Sequence, residues 1–323
     1  MTTRRTFLQW TAGAAAATAA TRTAWAQQWP ARPIRVMVPF SAGSTSDVIA
    51  RVIAAPLSTA LGQNLVVENR GGAGGAIGSA VVAQATPDGY TLLFNASAHG
   101  AASAVYPKLP YHPARDFAGI AVIGTVPNLT VIAPEKGIKT LRELVETAKK
   151  RPLTFGSAGV GSATHWAAER LRLAAGFDAT HVPFKGGPEA LTDVATGRVD
   201  FMCIGITSGL PFIKSGRLIP LAVNTTKRSP TLPDVPTTVE SGYPDSEYTF
   251  WNGLLAPAKT PRTIIERLHA EVNKALKSPE VVEKLKNQGL EPLPLTPAEF
   301  DKMIARDIES HIAIVKKAGL TFN

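Results

Sequence analysis

Cysteine is all but missing from this chain of 323 residues, with Cys203 the single example. One thiol excludes an intramolecular disulfide and any Cys-x-x-Cys redox or zinc pair, so stability has to come from packing. Long apolar runs are missing too. The Ala- and Thr-rich stretch near the N-terminus falls short of the ~20 apolar residues a membrane span needs, and no later segment supplies them. Lys and Arg outnumber Asp and Glu by 34 to 25. They never gather into the block that tracks a phosphate backbone, which sets nucleic acid aside as a partner. No Gly-x-Ser-x-Gly elbow and no Walker loop occurs, and Gly159-Val-Gly-Ser-Ala-Thr164 fails the dinucleotide fingerprint at its last position. The six histidines contain no His-x-x-x-His pair, so a metal site would need ligands from distant parts of the chain. No cofactor and no metal are expected.

What is present begins at the N-terminus. Twin arginines, Arg4 and Arg5, precede Phe7-Leu8, a mild apolar run and the small-x-small triplet Ala24-Trp25-Ala26. That pattern reads as a twin-arginine export signal over residues 1–26, cut after Ala26, and places the mature protein in the periplasm. Its removal lowers the formal charge from +9 to +6.

The stretch Val36 to Arg51 organises the rest. Branched apolar residues up to Val38 give way to Phe40-Ser-Ala-Gly-Ser-Thr-Ser46, and then to a helical spacing at Val48, Ile49, Val52 and Ile53. A strand, a loop of small residues and a helix follow one another, and such a helix start can hold an anion. The plan returns at Leu153-Thr-Phe-Gly-Ser-Ala-Gly-Val-Gly-Ser-Ala-Thr-His165. Hydroxyls at Ser41, Ser44, Thr45, Ser157 and Ser162 exceed what helix capping alone requires. Asp47, in the first helical turn, is expected to orient the loop, and Arg51 to be solvated.

Between and beyond these loops, strands and helices alternate as in a doubly wound α/β sheet. Strands are expected at 34–38, 65–67, 90–94, 120–125, 129–133, 180–184, 199–204, 218–223 and 249–255. Helices are expected at 47–61, 78–85, 140–150 (capped by Thr140), 189–196, 208–214, 261–276 and 296–318. The glycines of Glu68-Asn-Arg-Gly-Gly-Ala-Gly-Gly-Ala-Ile-Gly78 call for tight backbone geometry or the close approach of another element. Ligands in open α/β sheets collect at the carboxyl ends of strands, which makes Ser97 and His99 candidates for the same cleft. His165 either points into that cleft or bonds back to its loop, His181 is structural, and Trp166 and Trp251 line the cleft or plug the core.

These motifs, together with Pro87-Asp-Gly-Tyr-Thr-Leu92, His181-Val-Pro-Phe-Lys-Gly186, Arg228-Ser-Pro-Thr-Leu-Pro-Asp-Val-Pro236 and Gly253-Leu-Leu-Ala-Pro257, resemble the Bug-type substrate-binding proteins of tripartite tricarboxylate transporters. Order and spacing agree over the mature chain. The resemblance implies an α/β fold of the two-lobed periplasmic binding protein type II kind, the Venus flytrap. One lobe would comprise 27–125 and 226–323, the other 126–225. It also implies that the two loops pinch a small organic carboxylate through backbone amides and hydroxyls. Candidate ligand contacts are then Phe40, Ser41, Ala42, Gly43, Ser44 and Thr45 on the first loop. Ser157, Gly159, Gly161, Ser162 and His165 belong to the second, and Ser97, His99, Lys185, Gly186 and Ile204 sit at strand ends. Where many relatives carry an aspartate this chain has Cys203-Ile204-Gly205, which favours a carboxylate with an apolar or aromatic remainder over an amino acid.

The expected function is that of a monomeric, non-catalytic periplasmic receptor delivering its ligand to membrane transporter subunits. Two alternatives stand beside it, an exported α/β enzyme and a receptor serving a sensor kinase.

Overall fold

The computed structural model describes residues 29–318, and the part from Arg32 onward is one compact unit. The twin arginines and the cleavage site after Ala26 lie outside the described residues.

Strand β1 (Ile34–Val38) lies parallel between β2 (Leu65–Asn69) and β3 (Thr91–Ala96). Strand β4 (Phe117–Ile132) follows in sequence, and then a second parallel set forms. In it β5 (Leu153–Ser157) lies between β6 (Ala179–Pro183) and β7 (Phe201–Gly205). Strand β8 (Ile219–Val223) pairs antiparallel with β4, as does β9 (Thr249–Pro257). The sheet path runs β2-β1-β3-β9-β4-β7-β5-β6, with β8 also on β4. Both parallel sets therefore hang on the antiparallel pair β4 and β9.

The sequence suggests two strands, 120–125 and 129–133, but the structure has one. Pro127 lies opposite Thr249 at the end of the β9 pairing, and from Asn128 onward β4 pairs with β7 instead. A proline can neither donate to a ladder nor sit comfortably mid-sheet. At the point where β4 changes partners, its missing N–H costs least.

Ten helices are described. Helix α1 (Thr45–Leu61) stops at Gly62, whose φ of 67° supplies the left-handed turn. Helices α2 (Ala76–Ala83), α3 (Ala98–Val105) and α4 (Leu141–Lys150) follow. At the start of α4 the Glu143 N–H donates to Thr140 Oγ1 (3.1 Å), and the Glu143 carboxylate takes the Lys139 N–H (2.7 Å), a reciprocal cap. Then come α5 (Ala163–Ala175), α6 (Gly187–Ala195), α7 (Ile206–Lys214), α8 (Arg262–Ala275), α9 (Pro279–Asn287) and α10 (Pro297–Ala318). Helices α3 and α9 are not anticipated from sequence. The segment at 95–99 reads as a strand-end loop, yet it turns directly into α3. Only Val281 and Leu285 of α9 are buried, too few for an apolar periodicity to stand out.

Both tryptophans belong to the core and not to a cleft. Trp166 is fully buried, while Trp251 packs its ring edge-on against Phe300 and donates from Nε1 to Asp307 Oδ2 at 2.7 Å. Cys203 is buried against Thr130 and Asn224, and burial pushes its thiol up to about 11, so it is no nucleophile. The stretch after β8 is stitched to it: Val223 N–H donates to Pro236 O, Thr238 N–H to Val223 O, and Tyr248 N–H to Asn224 O.

Candidate functional site

The first loop is fixed from behind by one carboxylate. Asp47 Oδ2 accepts the Gly43 N–H (2.9 Å), and Oδ1 accepts from Arg51 Nε (3.0 Å) and Asn69 Nδ2 (2.9 Å). Burial raises the Asp47 pKa, but those donors outweigh it and the carboxyl ends below its usual range. Arg51 is thus a partner of Asp47 and Asn69 and not simply a solvated residue. The expected loop-orienting role of Asp47 has this geometry behind it.

The second loop is held by hydroxyls and imidazoles. Ser157 Oγ lies 2.6 Å from His181 Nε2 and accepts the Gly159 N–H at 3.1 Å. Thr164 Oγ1 accepts the Ala158 N–H (2.8 Å), and His165 Nδ1 accepts the Gly161 N–H (3.1 Å). His165 therefore bonds back to its loop. Burial, followed by His181 and Arg172, lowers its pKa to about 3, and burial lowers that of His181 to about 4.

Each loop ends in a capped helix. Ser44 Oγ accepts the Asp47 N–H and Ser162 Oγ accepts the His165 N–H, both at 3.3 Å. The next N–H groups, of Val48 and Trp166, reach the Ser44 and Ser162 carbonyls. A helix start leaves four N–H groups without intrahelical acceptors. The pairs left over are those of Thr45 and Ser46 on α1 and of Ala163 and Thr164 on α5. They have no acceptor among the described residues.

All four of these residues line one cavity of about 40 Å³, together with Phe40, Ser44, Ala96, Ala158, Ser162, Gly187, Ile204, Ser208 and Phe250. Two positive helix ends therefore face one small space with no acidic or basic side chain in its wall. Thr45 Oγ1 and Ser208 Oγ meet at 3.0 Å on its floor, joining α1 to α7, and Ser46 Oγ donates to Asn252 Oδ1 (2.9 Å).

Of the residues expected from sequence, Phe40, Ser44, Thr45, Ser162 and Ile204 meet at this cavity. Ser41, Ala42 and Gly43 form the rim, with Ser41 Oγ donating to Glu189 Oε1 (2.6 Å) and packed against Gly186. Ser157, Gly161 and His165 stand behind the second loop, while Gly159 and Lys185 line a larger outer depression with Tyr106 and Glu189. Ser97 and His99 are not brought to the cavity. The turn into α3 carries Ser97 Oγ to the Tyr248 hydroxyl (3.2 Å). His99 is buried between Asn95 Nδ2 (3.3 Å) and Pro113 O (2.9 Å), where burial lowers its pKa to about 4. Gly187, Ser208 and Phe250 are lining residues that sequence reasoning misses. Gly187 continues the Lys185-Gly186 run, Ser208 follows a strand end, and Phe250 carries no signal that separates it from core.

The glycines at 71–78 serve close approach: a Cβ on Gly74 would collide with the Val160 carbonyl of the second loop. Among the described residues no cluster of His, Cys, Asp and Glu is suited to a metal, and no helix is long and apolar enough to cross a membrane.

Two α/β lobes joined by antiparallel strands, with two helix starts facing one small cavity, are the plan of a solute-binding receptor. The chain belongs to the tripartite tricarboxylate transporter receptor family, whose model matches residues 49–320. It is 36% identical to protein BugT of Bordetella pertussis over 298 residues, 91% of each chain. Among solved structures it is similar to Rpa4515 of R. palustris with adipate, with a TM-score of 0.88, 34% identity and coverage of 92% of this chain and all of that one. It is also similar to MatC of Rhodopseudomonas palustris with bound malate, with a TM-score of 0.84, 34% identity and coverage of 89% of this chain and 100% of that one. The family is one of solute receptors, and its structural neighbours include periplasmic binding protein BugD.

Proposed function

We propose that this protein is a periplasmic receptor that holds a small organic carboxylate between its lobes and hands it to tripartite tricarboxylate-type membrane subunits. One observation carries the reading: the four N–H groups of Thr45, Ser46, Ala163 and Thr164, unpartnered among the described residues, belong to residues lining one cavity. A carboxylate oxygen placed there accepts from both helix starts at once and needs no arginine. The ligand-bound relatives with adipate and malate support the same ligand class.

The first lobe is proposed to comprise 27–125 and 226–323 and the second 126–225. The bonds from 236–248 to β8 favour moving the return crossing to β9, near residue 249. Export through a twin-arginine leader at 1–26, a monomeric state and the lack of catalysis complete the proposal. Cys203, buried with its thiol pushed up to about 11, offers no nucleophile, which favours a receptor over an enzyme.

Thermal-shift and calorimetric titration with mono-, di- and tricarboxylates test it. A true ligand at about 100 times its Kd adds ~2.7 kcal/mol of stability. If no carboxylate shifts the melting temperature, the proposal is wrong.

A further inference from the structure

We infer that an apolar groove between α7 and α9 is where the membrane subunits dock, and that it takes a segment carrying a bulky apolar side chain beside a carboxylate. This rests on the receptor reading and names the face that the partner engages.

The groove has a volume of about 460 Å³ and shares no lining residue with the ligand cavity or the outer depression. Leu210, Leu276, Leu285 and Leu290 line it. So does Val282, one of five large apolar side chains left exposed among the described residues. A single exposed valine is ordinary, but one set among leucines in a concave surface is the usual seat of an apolar anchor. Lys214 of α7 and Lys286 of α9 also line the groove. Each sits in the last turn of its helix, where a cation is favourable. Neither enters an ion pair or side-chain hydrogen bond among the described residues, whereas Lys284 on the same helix is paired with Glu280 at 2.6 Å. Glu291 is the one acid in the lining, so the groove keeps a net positive charge. A carboxylate on the partner gives the two lysines a counterion, and its apolar neighbour displaces water from the leucines.

Helix α7 ties this face to the ligand. Ser208, in its first turn, lines the cavity, while Leu210 and Lys214 further along line the groove. In the proposed division α7 belongs to the second lobe and α9 to the first, so the groove spans both. The two are closely joined beside it. Thr207 Oγ1 donates to the Gln288 carbonyl (2.6 Å), and a Cβ on Gly289 would collide with Ile206. Parting the lobes draws α7 away from α9 and takes the groove apart. A partner seated there therefore engages the closed, loaded receptor ahead of the open one.

The test uses the mature protein with right-side-out membrane vesicles that carry the tripartite-type subunits, and labelled adipate and malate as the first probes. Lys214→Glu combined with Lys286→Glu, and separately Val282→Asp, should lower uptake at least tenfold while calorimetric affinity for the acid stays within about threefold of wild type. Lys214→Gln with Lys286→Gln, the milder pair, should lower uptake less and weaken its dependence on salt. A p-benzoylphenylalanine in place of Val282 should cross-link to a membrane subunit, and more so with the acid present. Wild-type uptake by the charge-reversed and Val282→Asp proteins overturns the inference and leaves the receptor reading intact. So does a loss of acid affinity that matches the loss of uptake, because the groove would then act on the ligand site alone. Failure of wild-type protein to bind any carboxylate overturns both.

Discussion

The imidazoles of His165 and His181 lie face to face beneath the second loop, 3.9 Å between centroids and 9° from parallel. Phe155 stacks on the His181 ring at 4.9 Å, so the pair is packed like aromatic core. His165 can accept from Gly161 N–H only while Nδ1 is unprotonated. Protonating either ring would set a cation against its neighbour in a desolvated place. The nearest charged groups are Glu169, whose Oε1 is 3.9 Å from His165 Nε2, and Arg172, which is itself 2.9 Å from Glu169.

Stability should therefore decline on mild acidification. The folded-state pKa values of His99, His181 and His311 are lowered to about 4 and that of His165 to about 3, against 6.5 for an ordinary histidine. Between those values the unfolded chain binds protons that the folded one refuses. The stabilisation is complete above about pH 6.5 and is lost as pH falls toward 4, up to ~3 kcal/mol for a single fully buried histidine. Urea unfolding between pH 7 and pH 5 measures this, and His165→Gln should flatten the slope. Equal slopes for variant and wild type would show that His165 takes up its proton in the fold as readily as in the unfolded chain.

The two caps have a double duty that separates by substitution. Ser44→Ala and Ser162→Ala remove the acceptors of the Asp47 and His165 N–H groups and should each cost about 1 kcal/mol of stability. Ser44→Leu and Ser162→Leu fill the cavity and should abolish carboxylate binding in protein that still melts cooperatively. Ligand affinity unchanged in both leucine variants would place the site elsewhere.

Much of this geometry is legible in the chain. Ser44 and Ser162 stand out because a hydroxyl before an apolar helical spacing has one common use, and Asp47 because a carboxylate in a first turn interacts with loop amides. The far wall is not legible. Phe250 and Ile204 look like core because they are core-like, and only the pairing of β4 with β9 and β7 brings them beside α1. His99 misleads for a related reason. It follows a strand end, where ligands gather, but α3 begins one residue before it and directs its ring to Pro113 and Phe117. Pro127 suggests a break because a proline usually marks one, and here it marks a change of partner.

Asp47→Ala should disorder the first loop more than it destabilises the fold. The substitution strands the Gly43 N–H and takes one acceptor each from Asn69 Nδ2, which keeps Phe40 O, and Arg51, which keeps Asn69 Oδ1, a cost of about 2 kcal/mol, and the loop loses its fixed approach to the cavity. Ligand affinity should fall by well over tenfold, or more than ~1.4 kcal/mol. Asp47→Asn, which keeps the acceptor oxygen, should restore most of the stability and part of the affinity. Full affinity in the alanine variant would mean the loop is held by its own backbone.

In the proposed division into lobes, two hydrogen bonds link the first lobe to the second. Ser41 Oγ donates to Glu189 Oε1 at 2.6 Å, and the Tyr106 hydroxyl donates to the Val160 carbonyl at 2.9 Å. Neither pair belongs to the cavity wall, so both favour closure without touching a ligand held inside. Ser41→Ala with Tyr106→Phe should shift the population toward an open form. Such a shift lowers apparent affinity by the fraction closed, with roughly tenfold expected and faster dissociation as its source. Small-angle scattering of the ligand-free variant would show a larger radius of gyration than wild type, and stopped-flow release would show the faster off-rate. An unchanged radius together with an unchanged off-rate would assign closure to the ligand and the remaining contacts, such as those of Ser208 with Thr45 and Gly43 and of Thr207 with Gln288.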